Sequence, residues 1–296
     1  VVVLMAVSFV IPVSAISDDE VAAPSAILME PNTGKILYEK NANELRPCAS
    51  ITKVMTLLLV MEAIDSGKIS LEDQVTASAH AASMGGSDIW LKEGETMSVN
   101  DLIKATVIMS ANDAAVVLAE HVYGTEDEFV KQMNIRAKQL GMNDTTFKNC
   151  NGLDEDGHLT TAHDVALMSA ELIKHEKIFD YTLTWMDYVR DGETQLVNTN
   201  KLIRSYKGIT GLKTGTTSQA GSCISATAKR DNLSLVAVVL GCSTTDERFT
   251  SASTLLDYGF ANFSFASLQM PELGMVPVTN GIQGEVQAEC TATAEV

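Results

Sequence analysis

The sequence predicts an α/β (α+β) protein whose antiparallel sheet draws strands from both ends of the chain around a helical lobe. Near the beginning, Ser25–Glu30 and Lys35–Lys40 are rich in strand-forming residues and flank the turn P-N-T-G at 31–34, which favours a hairpin. Helical patterns fill the middle of the chain, and a second β-rich region begins near residue 205. The order hairpin, helices, sheet, helix is typical of a two-layer or three-layer domain of mixed structure.

Each helix is predicted from its apolar spacing and its end signals. Ser50 opens a long apolar helix that Gly67 ends. Thr160 or Thr161 offers an N-cap to a later helix that carries Asp164 in its first turn. The other helical segments are Asn100–Met109 and Asn112–Tyr123, which break around Ser110, then Thr125–Leu140, Thr161–His175 and Phe249–Phe263.

Three β-rich segments predict an antiparallel meander: Gly208–Thr214, Gly221–Lys229 and Leu233–Gly241. The tripeptide R-D-N at 230–232 joins the last two segments in a turn. Residues 268–296 lack a helical period and are rich in Val, Gly and small polar residues. They predict the start of a small C-terminal β domain, too short at this point to close a core.

The first fifteen residues predict export. VVVLMAVSFVIPVSA is an uncharged apolar run that ends in residues suited to a signal peptidase, so we interpret 1–15 as a partial signal peptide. A buried N-terminal strand is the alternative. Export places the protein outside the cytoplasmic membrane, on its outer face, in the periplasm or in the cell wall.

Charge and cysteine content exclude several classes of function. The chain of 296 residues has a formal net charge of −17, which argues against nucleic acid as a partner. The five cysteines lack C-x-x-C spacing, so no metal site and no cofactor are predicted, although Cys223 and Cys242 on neighbouring predicted strands leave one disulfide open. The five histidines show no serine-triad context, and only His158 is expected near a cleft.

Three short motifs occur in order at predicted element boundaries: S-I-T-K at 50–53, S-A-N at 110–112 and K-T-G at 213–215. They match the S-x-x-K, S-x-N and K-T-G set of penicillin-binding proteins and class A β-lactamases. Singly, each is also read as an N-cap, a surface lysine or a plain turn. Their order and their positions at the start of a helix, at a helix break and at the end of a strand favour a catalytic interpretation.

The chain resembles the low-molecular-weight penicillin-binding proteins that act as serine-type D-alanyl-D-alanine carboxypeptidases. T-G-K at 33–35, N-G-L-D at 151–154, G-L-K-T-G at 211–215 and A-G at 220–221 extend the similarity, which covers roughly residues 22–296. It implies a penicillin-binding/β-lactamase-like transpeptidase fold in a serine DD-peptidase domain at 22–265. It also implies peptidoglycan pentapeptides as substrates and β-lactams as covalent inhibitors. Family members often attach to the membrane by a C-terminal segment, which these residues do not include.

The resemblance and the chemistry together assign roles to the motif residues. Ser50 would be the acylated nucleophile and Lys53, one helical turn away, the base that accepts its proton. For this the pKa of Lys53 must lie well below about 10.4, and burial beside a second cation, Lys213, is expected to lower it. Ser110 would relay a proton to the leaving D-alanine, and Asn112 would hold both the substrate and Lys53.

The remaining residues of the predicted site bind the substrate. The backbone N–H groups of Ser50 and Thr216 would form the oxyanion hole. Gly215 would let the substrate backbone lie against its strand. Thr214, Thr216 and Arg248 are candidates for the terminal carboxylate of the substrate. Thr216 stands where better-known relatives have a basic residue, which leaves fine substrate preference open.

Two other functions compete with this one. A class A β-lactamase needs a glutamate in an E-x-x-L-N-type loop, and E-T-Q-L at 193–196 lacks the asparagine. A penicillin-sensing receptor would be acylated and then hardly turn over. A paralogue with the same chemistry, specialised for sporulation or division, fits the sequence equally well.

Overall fold

The computed structural model describes residues 16–264, 275–277 and 285–287. The predicted signal peptide lies outside the described residues, as does most of the predicted C-terminal domain. The chain divides into two compact units between Asn262 and Phe263. Among the described residues, no helix is long and apolar enough to cross a bilayer.

The first unit contains nine α-helices and nine strands within its described part. The helices are α1 (Lys53–Asp65), α2 (Ala79–Ala82), α3 (Val99–Lys104), α4 (Asn112–Tyr123), α5 (Glu126–Gln139), α6 (Ala162–Leu172), α7 (Phe179–Thr182), α8 (Leu202–Ser205) and α9 (Thr245–Asn262). The strands are β1 (Ser25–Glu30), β2 (Lys35–Lys40), β3 (Gln74–Thr76), β4 (Thr96–Ser98), β5 (Met186–Val189), β6 (Thr194–Val197), β7 (Ile209–Thr217), β8 (Gly221–Arg230) and β9 (Leu233–Cys242). In the second unit, β10 (Met275–Pro277) pairs antiparallel with β11 (Glu285–Gln287).

A five-stranded antiparallel sheet in the order β2-β1-β9-β8-β7 forms the centre of the first unit. Helix α6 covers one face, where Ser169 Oγ bonds Ser225 Oγ at 2.7 Å. Helix α9 covers the other, where Gly259 packs against Leu28 and Leu235. The predicted hairpin, meander and mixed α/β class are confirmed, and β7 is left at an edge of the sheet.

Helix α1 runs through the interior because its sequence is apolar on nearly every side. Ten of its thirteen residues are buried. The predicted start at Ser50 is a 3₁₀ turn, Ala49–Thr52, that leads into the α-helix at Lys53. Ser50 lies in this 3₁₀ turn and is partly exposed, whereas Lys53 lies at the start of the α-helix and is fully buried.

Two helix boundaries differ from the prediction in ways that matter for the site. Helix α3 passes into a π-helical turn, Ala105–Met109, which ends at Ser110 in a left-handed conformation with φ 67°. Helix α9 begins four residues before the predicted Phe249, because Thr244 and Glu247 cap its first turn. Arg248 therefore belongs to the first turn of α9.

Candidate active site

Ser50 and Lys53 form a hydrogen-bonded pair at the start of α1. The ammonium nitrogen of Lys53 lies 3.0 Å from Ser50 Oγ. The same Nζ donates to Asn112 Oδ1 at 2.5 Å and to the carbonyl oxygen of Asn151 at 2.7 Å. Three oxygen acceptors thus hold the amine beside the hydroxyl whose proton it would accept.

Lys53 is fully buried, with none of its surface exposed. Burial disfavours the charged ammonium and lowers the pKa of Lys53 to about 7, although Asp88 and Asp113 oppose the shift. A pKa near neutrality leaves a substantial fraction of the amine unprotonated at pH 7, which a general base requires.

A second serine–lysine pair faces the first one. Lys213 Nζ, on β7, donates to Ser110 Oγ at 2.9 Å and to the carbonyl oxygen of Thr214 at 2.9 Å. Both side chains are buried, with Ser110 5% and Lys213 2% exposed. The left-handed turn at Ser110 directs the hydroxyl toward the strand and not along the helix.

The two buried lysine amines of the site affect each other's pKa. Burial is the largest cause that lowers the pKa of Lys53. The pKa of Lys213 is held well below its ordinary value by burial first and then by repulsion from Lys53 and Arg248. Since repulsion between two like charges is mutual, a charge on Lys213 also favours the neutral amine at Lys53.

Asn112 is held on three sides at the beginning of α4. Its Oδ1 accepts from Lys53, its Nδ2 donates to the carbonyl oxygen of Gly85 at 2.6 Å, and its backbone N–H donates to that of Ser87 at 2.6 Å. A Cβ on Gly86 would lie 2.9 Å from Asn112 Nδ2, so glycine is needed there. The loop at 85–87 therefore sets the amide orientation.

The Asn151 carbonyl is a part of the site to which sequence reasoning assigned no role. Asn151 belongs to the N-G-L-D motif at 151–154, which carried the family resemblance alone. Gly152 has φ +86°, and a Cβ there would lie 2.0 Å from the carbonyl oxygen of Ala49. This close approach seats the motif against the turn that carries Ser50. Every residue type has a backbone carbonyl, so the sequence could not identify this acceptor. The only indication of it in the sequence was Gly152.

Gly215 lies against the turn that carries Ser50. A Cβ at this position would lie 2.7 Å from the Cys48 carbonyl oxygen and 2.9 Å from the Ser50 backbone nitrogen. Glycine is thus needed because β7 touches the chain's own nucleophile turn. The close approach brings the next residue of the strand, Thr216, to the side of Ser50.

Arg248 reaches the same strand from α9. Its Nη1 donates to the Gly215 carbonyl oxygen at 3.1 Å and to Thr216 Oγ1 at 2.8 Å. Its Nε–H is buried and has no hydrogen-bond partner within the described part of the chain. Thr216 is exposed, whereas Thr214 is buried with its hydroxyl bonded to Thr199 Oγ1 at 2.7 Å.

His158 lies behind the nucleophile turn and is buried. Its Nδ1 accepts from the backbone N–H of Lys148 at 3.3 Å, so the Nε2–H donates to Thr52 Oγ1 at 2.8 Å. Burial lowers the pKa of His158 to about 4. The side chain is therefore a neutral support of Thr52, and it makes no contact with Ser50 or Lys53 in the hydrogen bonds of the described residues.

The disulfide left open by the sequence is absent among the described residues, where Cys48, Cys150, Cys223 and Cys242 are free and buried. A register shift in the β8–β9 pair places Ser222, and not Cys223, opposite Cys242. Burial raises the pKa of Cys223 to about 11 and that of Cys242 to about 12. No cluster of metal-binding side chains occurs in the same part of the chain.

The fold is that of the penicillin-binding proteins. Penicillin-binding protein D2 from Listeria monocytogenes, solved in its ampicillin-bound form, is 36% identical with a TM-score of 0.74, covering 81% of this chain and 98% of that one. Penicillin-binding protein 5 from Haemophilus influenzae is 30% identical with a TM-score of 0.86, covering 95% and 84%.

Within that class, the chain belongs to the D-alanyl-D-alanine carboxypeptidase family of serine peptidases, peptidase S11, whose family profile matches residues 12–244. It is 50% identical over 244 residues to the carboxypeptidase DacF of Bacillus subtilis, covering 81% of this chain and 63% of DacF. It is 37% identical over 277 residues to DacC of Escherichia coli, covering 90% and 69%. The chain thus spans about two thirds of these relatives.

Proposed function

We propose that this chain is a serine-type D-alanyl-D-alanine carboxypeptidase that removes the terminal D-alanine from peptidoglycan stem peptides. One observation carries the proposal: the buried Lys53 amine lies 3.0 Å from Ser50 Oγ. A serine hydroxyl becomes nucleophilic when a neutral amine within hydrogen-bonding distance takes its proton. Membership of the carboxypeptidase family supports the choice of substrate.

Acylation begins when Ser50 Oγ attacks the carbonyl carbon of the penultimate D-alanine and its proton passes to Lys53. The carbonyl oxygen becomes an oxyanion between the backbone N–H groups of Ser50 and Thr216. The close packing of Gly215 on the Ser50 turn supports this arrangement. Each such donor stabilises the developing charge by about 3 kcal/mol.

Departure of D-alanine requires a proton on its amine nitrogen as the C–N bond breaks. The hydroxyl of Ser110 would relay to that nitrogen the proton that Lys53 took from Ser50, so Lys53 becomes neutral again, and Lys213, 2.9 Å away, would hold the hydroxyl in place. Asn112 keeps Lys53 oriented and has its amide beside the same cleft. Water then cleaves the ester on Ser50, which restores the free hydroxyl and releases the shortened peptide.

The substrate carboxylate would lie between Thr216 and Arg248. The guanidinium already contacts Thr216 Oγ1 at 2.8 Å, which places its positive charge beside the exposed Thr216. An anion at this position gains charge-assisted hydrogen bonds. Thr214, bonded to Thr199, would support the strand.

The same site would be acylated by β-lactams, and the proposed place of action is outside the cytoplasmic membrane. The relative from Listeria monocytogenes has a structure in an ampicillin-bound form, which supports the first point. Action on cell-wall peptides supports the second. The predicted signal peptide at 1–15, the catalytic domain at 22–265 and the start of a β domain at 268–296 remain part of this proposal, as does membrane association through further residues.

Release of D-alanine tests the function directly. The protein is incubated with a pentapeptide ending in D-Ala-D-Ala, beside a control peptide ending in L-Ala, and free D-alanine is assayed. Ser50→Ala should abolish both release and covalent labelling by a fluorescent penicillin. Ser66→Ala, at the far end of α1, is the matched control and should retain both. A penicilloyl adduct on Ser50→Ala in the intact-mass spectrum would overturn the assignment.

A further inference from the structure

Trp90 is displayed on the surface in a backbone conformation that large residues avoid. Its φ is +55°, and 72% of its surface is exposed. A bulky side chain in the left-handed region costs about 1–3 kcal/mol and persists where the surrounding structure imposes it. An exposed indole gains nothing from burial that would offset this cost within the monomer.

The neighbours of Trp90 are held by a buried carboxylate. Asp113 accepts from the backbone N–H of Ile89 at 3.2 Å and from that of Leu91 at 2.9 Å. Arg190 Nη1 donates to the Ile89 carbonyl oxygen at 2.8 Å. Ile89 and Leu91 are buried, so the peptide on each side of Trp90 is fixed while its ring stands out.

The indole borders a polar surface depression of about 650 Å³ that is largely open to solvent. Planar hydrogen-bonding groups line it: Arg190 donates to Glu95 Oε1 at 2.6 Å and to Thr194 Oγ1 at 2.9 Å. Glu93 and Glu193 are exposed at its edge. A flat aromatic face beside ordered polar groups suits a ligand with one apolar face and polar edges.

A single loop of the chain connects this depression to the active site. Asp113 directly follows Asn112, whose backbone N–H donates to the Ser87 carbonyl oxygen at 2.6 Å. One loop, 85–91, thus contacts Asn112 at its beginning and presents Trp90 at its end. A ligand at Trp90 would lie beside the cleft that binds the stem peptide.

We propose that Trp90 is the platform of a carbohydrate-binding subsite that takes a hexosamine ring of a glycan strand. The C–H face of a pyranose ring would stack on the indole, and its hydroxyl and acetamido groups would bond Lys92, Glu93 and Arg190. The inference extends the proposed function, because stem peptides are attached to such strands. A membrane surface is less suitable, since Glu93 and Glu193 would face anionic headgroups.

Fluorescence tests the subsite without any turnover. The chain has two tryptophans, so Trp185→Phe leaves Trp90 as the sole reporter. Titration with chitotetraose, a β-1,4-linked N-acetylglucosamine oligomer, should shift the emission saturably. Maltotetraose, which lacks acetamido groups, is the control ligand and should shift it at least about tenfold more weakly. Emission that stays constant up to millimolar chitotetraose would overturn the proposal.

Activity separates this proposal from the proposed function. Trp90→Asn, which tolerates the left-handed conformation, should release D-alanine from a free pentapeptide at the wild-type rate. On glycan-linked pentapeptide its kcat/KM should fall by about tenfold, and Trp90→Tyr should restore most of it. An equal loss on both substrates, or binding of wild type to phosphatidylglycerol vesicles that Trp90→Asn abolishes, would overturn the glycan assignment. Failure of both enzymes on the free peptide would instead contradict the carboxypeptidase function.

Discussion

Gly215 lies against Ser50 so closely that a Cβ on the glycine would be 2.9 Å from the Ser50 backbone nitrogen. The other two atoms in the way, the carbonyl oxygen of Cys48 at 2.7 Å and the backbone nitrogen of Ile51 at 3.0 Å, also belong to the backbone and cannot move aside by a change of rotamer. Strand β7 and the turn that carries the nucleophile therefore act as one unit. This contact would set the separation of the two proposed oxyanion donors, the backbone N–H groups of Ser50 and Thr216.

Gly215→Ala should lower the rate of acylation by penicillin by about a hundredfold or more, because a displacement of about 1 Å at a reacting centre has that effect. The methyl group must push β7 away from Ser50, which separates the two proposed oxyanion donors. Stopped-flow labelling with a fluorescent penicillin measures the rate, and the melting temperature shows whether the sheet is retained. Wild-type acylation in a folded Gly215→Ala protein would show that the contact has no catalytic role.

The acylation rate should rise with pH through about 7. Burial lowers the pKa of Lys53 to about 7, and the amine must be neutral to take the proton of Ser50. The sign follows directly: acid protonates Lys53 and removes the base, while alkali enlarges the active fraction until it saturates. The measurement is the second-order acylation rate between pH 5 and 9 by about half-unit steps.

Lys53→Arg is the matched variant for the same measurement. Its guanidinium keeps a positive charge at every pH in that range, since its pKa lies above about 12. Acylation should fall by several orders of magnitude, and the remaining activity should not follow the wild-type profile. If Lys53→Arg acylates at the wild-type rate, Lys53 acts only through its charge and the base lies elsewhere, with Lys213 and Ser110 as the first candidates.

Contacts between residues that are close in the sequence could be predicted from it. Contacts between residues that are far apart in the sequence were harder to predict. Ser50 and Lys53 are one helical turn apart, so the apolar helix alone places them together. Ser110 and Lys213 are separated by 103 positions, and their hydrogen bond depends on how the π-helical turn meets the edge strand. The motif set named both residues, but their pairing needed the tertiary structure.

Two features were beyond sequence reasoning for physical reasons. The acceptor at Asn151 is a main-chain carbonyl, which any residue type supplies. The second feature is the position of Asp88 and Asp113 near Lys53, where their carboxylates oppose the lowering of its pKa. Asp88 lies in a segment without a recognisable catalytic motif, and Asp113 follows the S-A-N motif without being one of its residues.

Arg248→Ala should weaken the use of substrates that end in a free carboxylate. Loss of a charge-assisted contact costs about 1.5–3 kcal/mol, so kcat/KM for the pentapeptide should fall by roughly tenfold to a hundredfold. The C-terminal amide of the same pentapeptide is the matched substrate and should lose far less. Equal losses on acid and amide would place the role of Arg248 in holding Thr216 and Gly215, which it already contacts.

Hydrolysis of the penicilloyl-enzyme should be slow. A class A β-lactamase uses a glutamate to activate the deacylating water, and in the described structure the partners of the Lys53 amine are Ser50, Asn112 and the Asn151 carbonyl. The adduct on Ser50 should therefore persist in intact-mass spectra long after free drug is removed. Turnover at many cycles per second would reassign the protein as a β-lactamase.

His158 should make the fold sensitive to acid. Burial lowers the pKa of His158 from 6.5 to about 4. Between these two pH values the ring is protonated in the unfolded chain but neutral in the folded one, so protons favour unfolding. The free energy of unfolding therefore decreases as the pH falls from 6.5 to about 4. The decrease is about 1.4 kcal/mol per pH unit and about 3 kcal/mol over the whole window.

The variant His158→Gln has an amide that can donate to Thr52 and accept from Lys148, as the ring does, but it does not titrate. Urea unfolding at pH 7.5 and 4.5 measures the difference: the variant should lose about 2–3 kcal/mol less than wild type, since every other titrating group is common to both. Parallel losses in the two proteins would show that His158 is already charged in the native state and that its ring is not a neutral donor to Thr52.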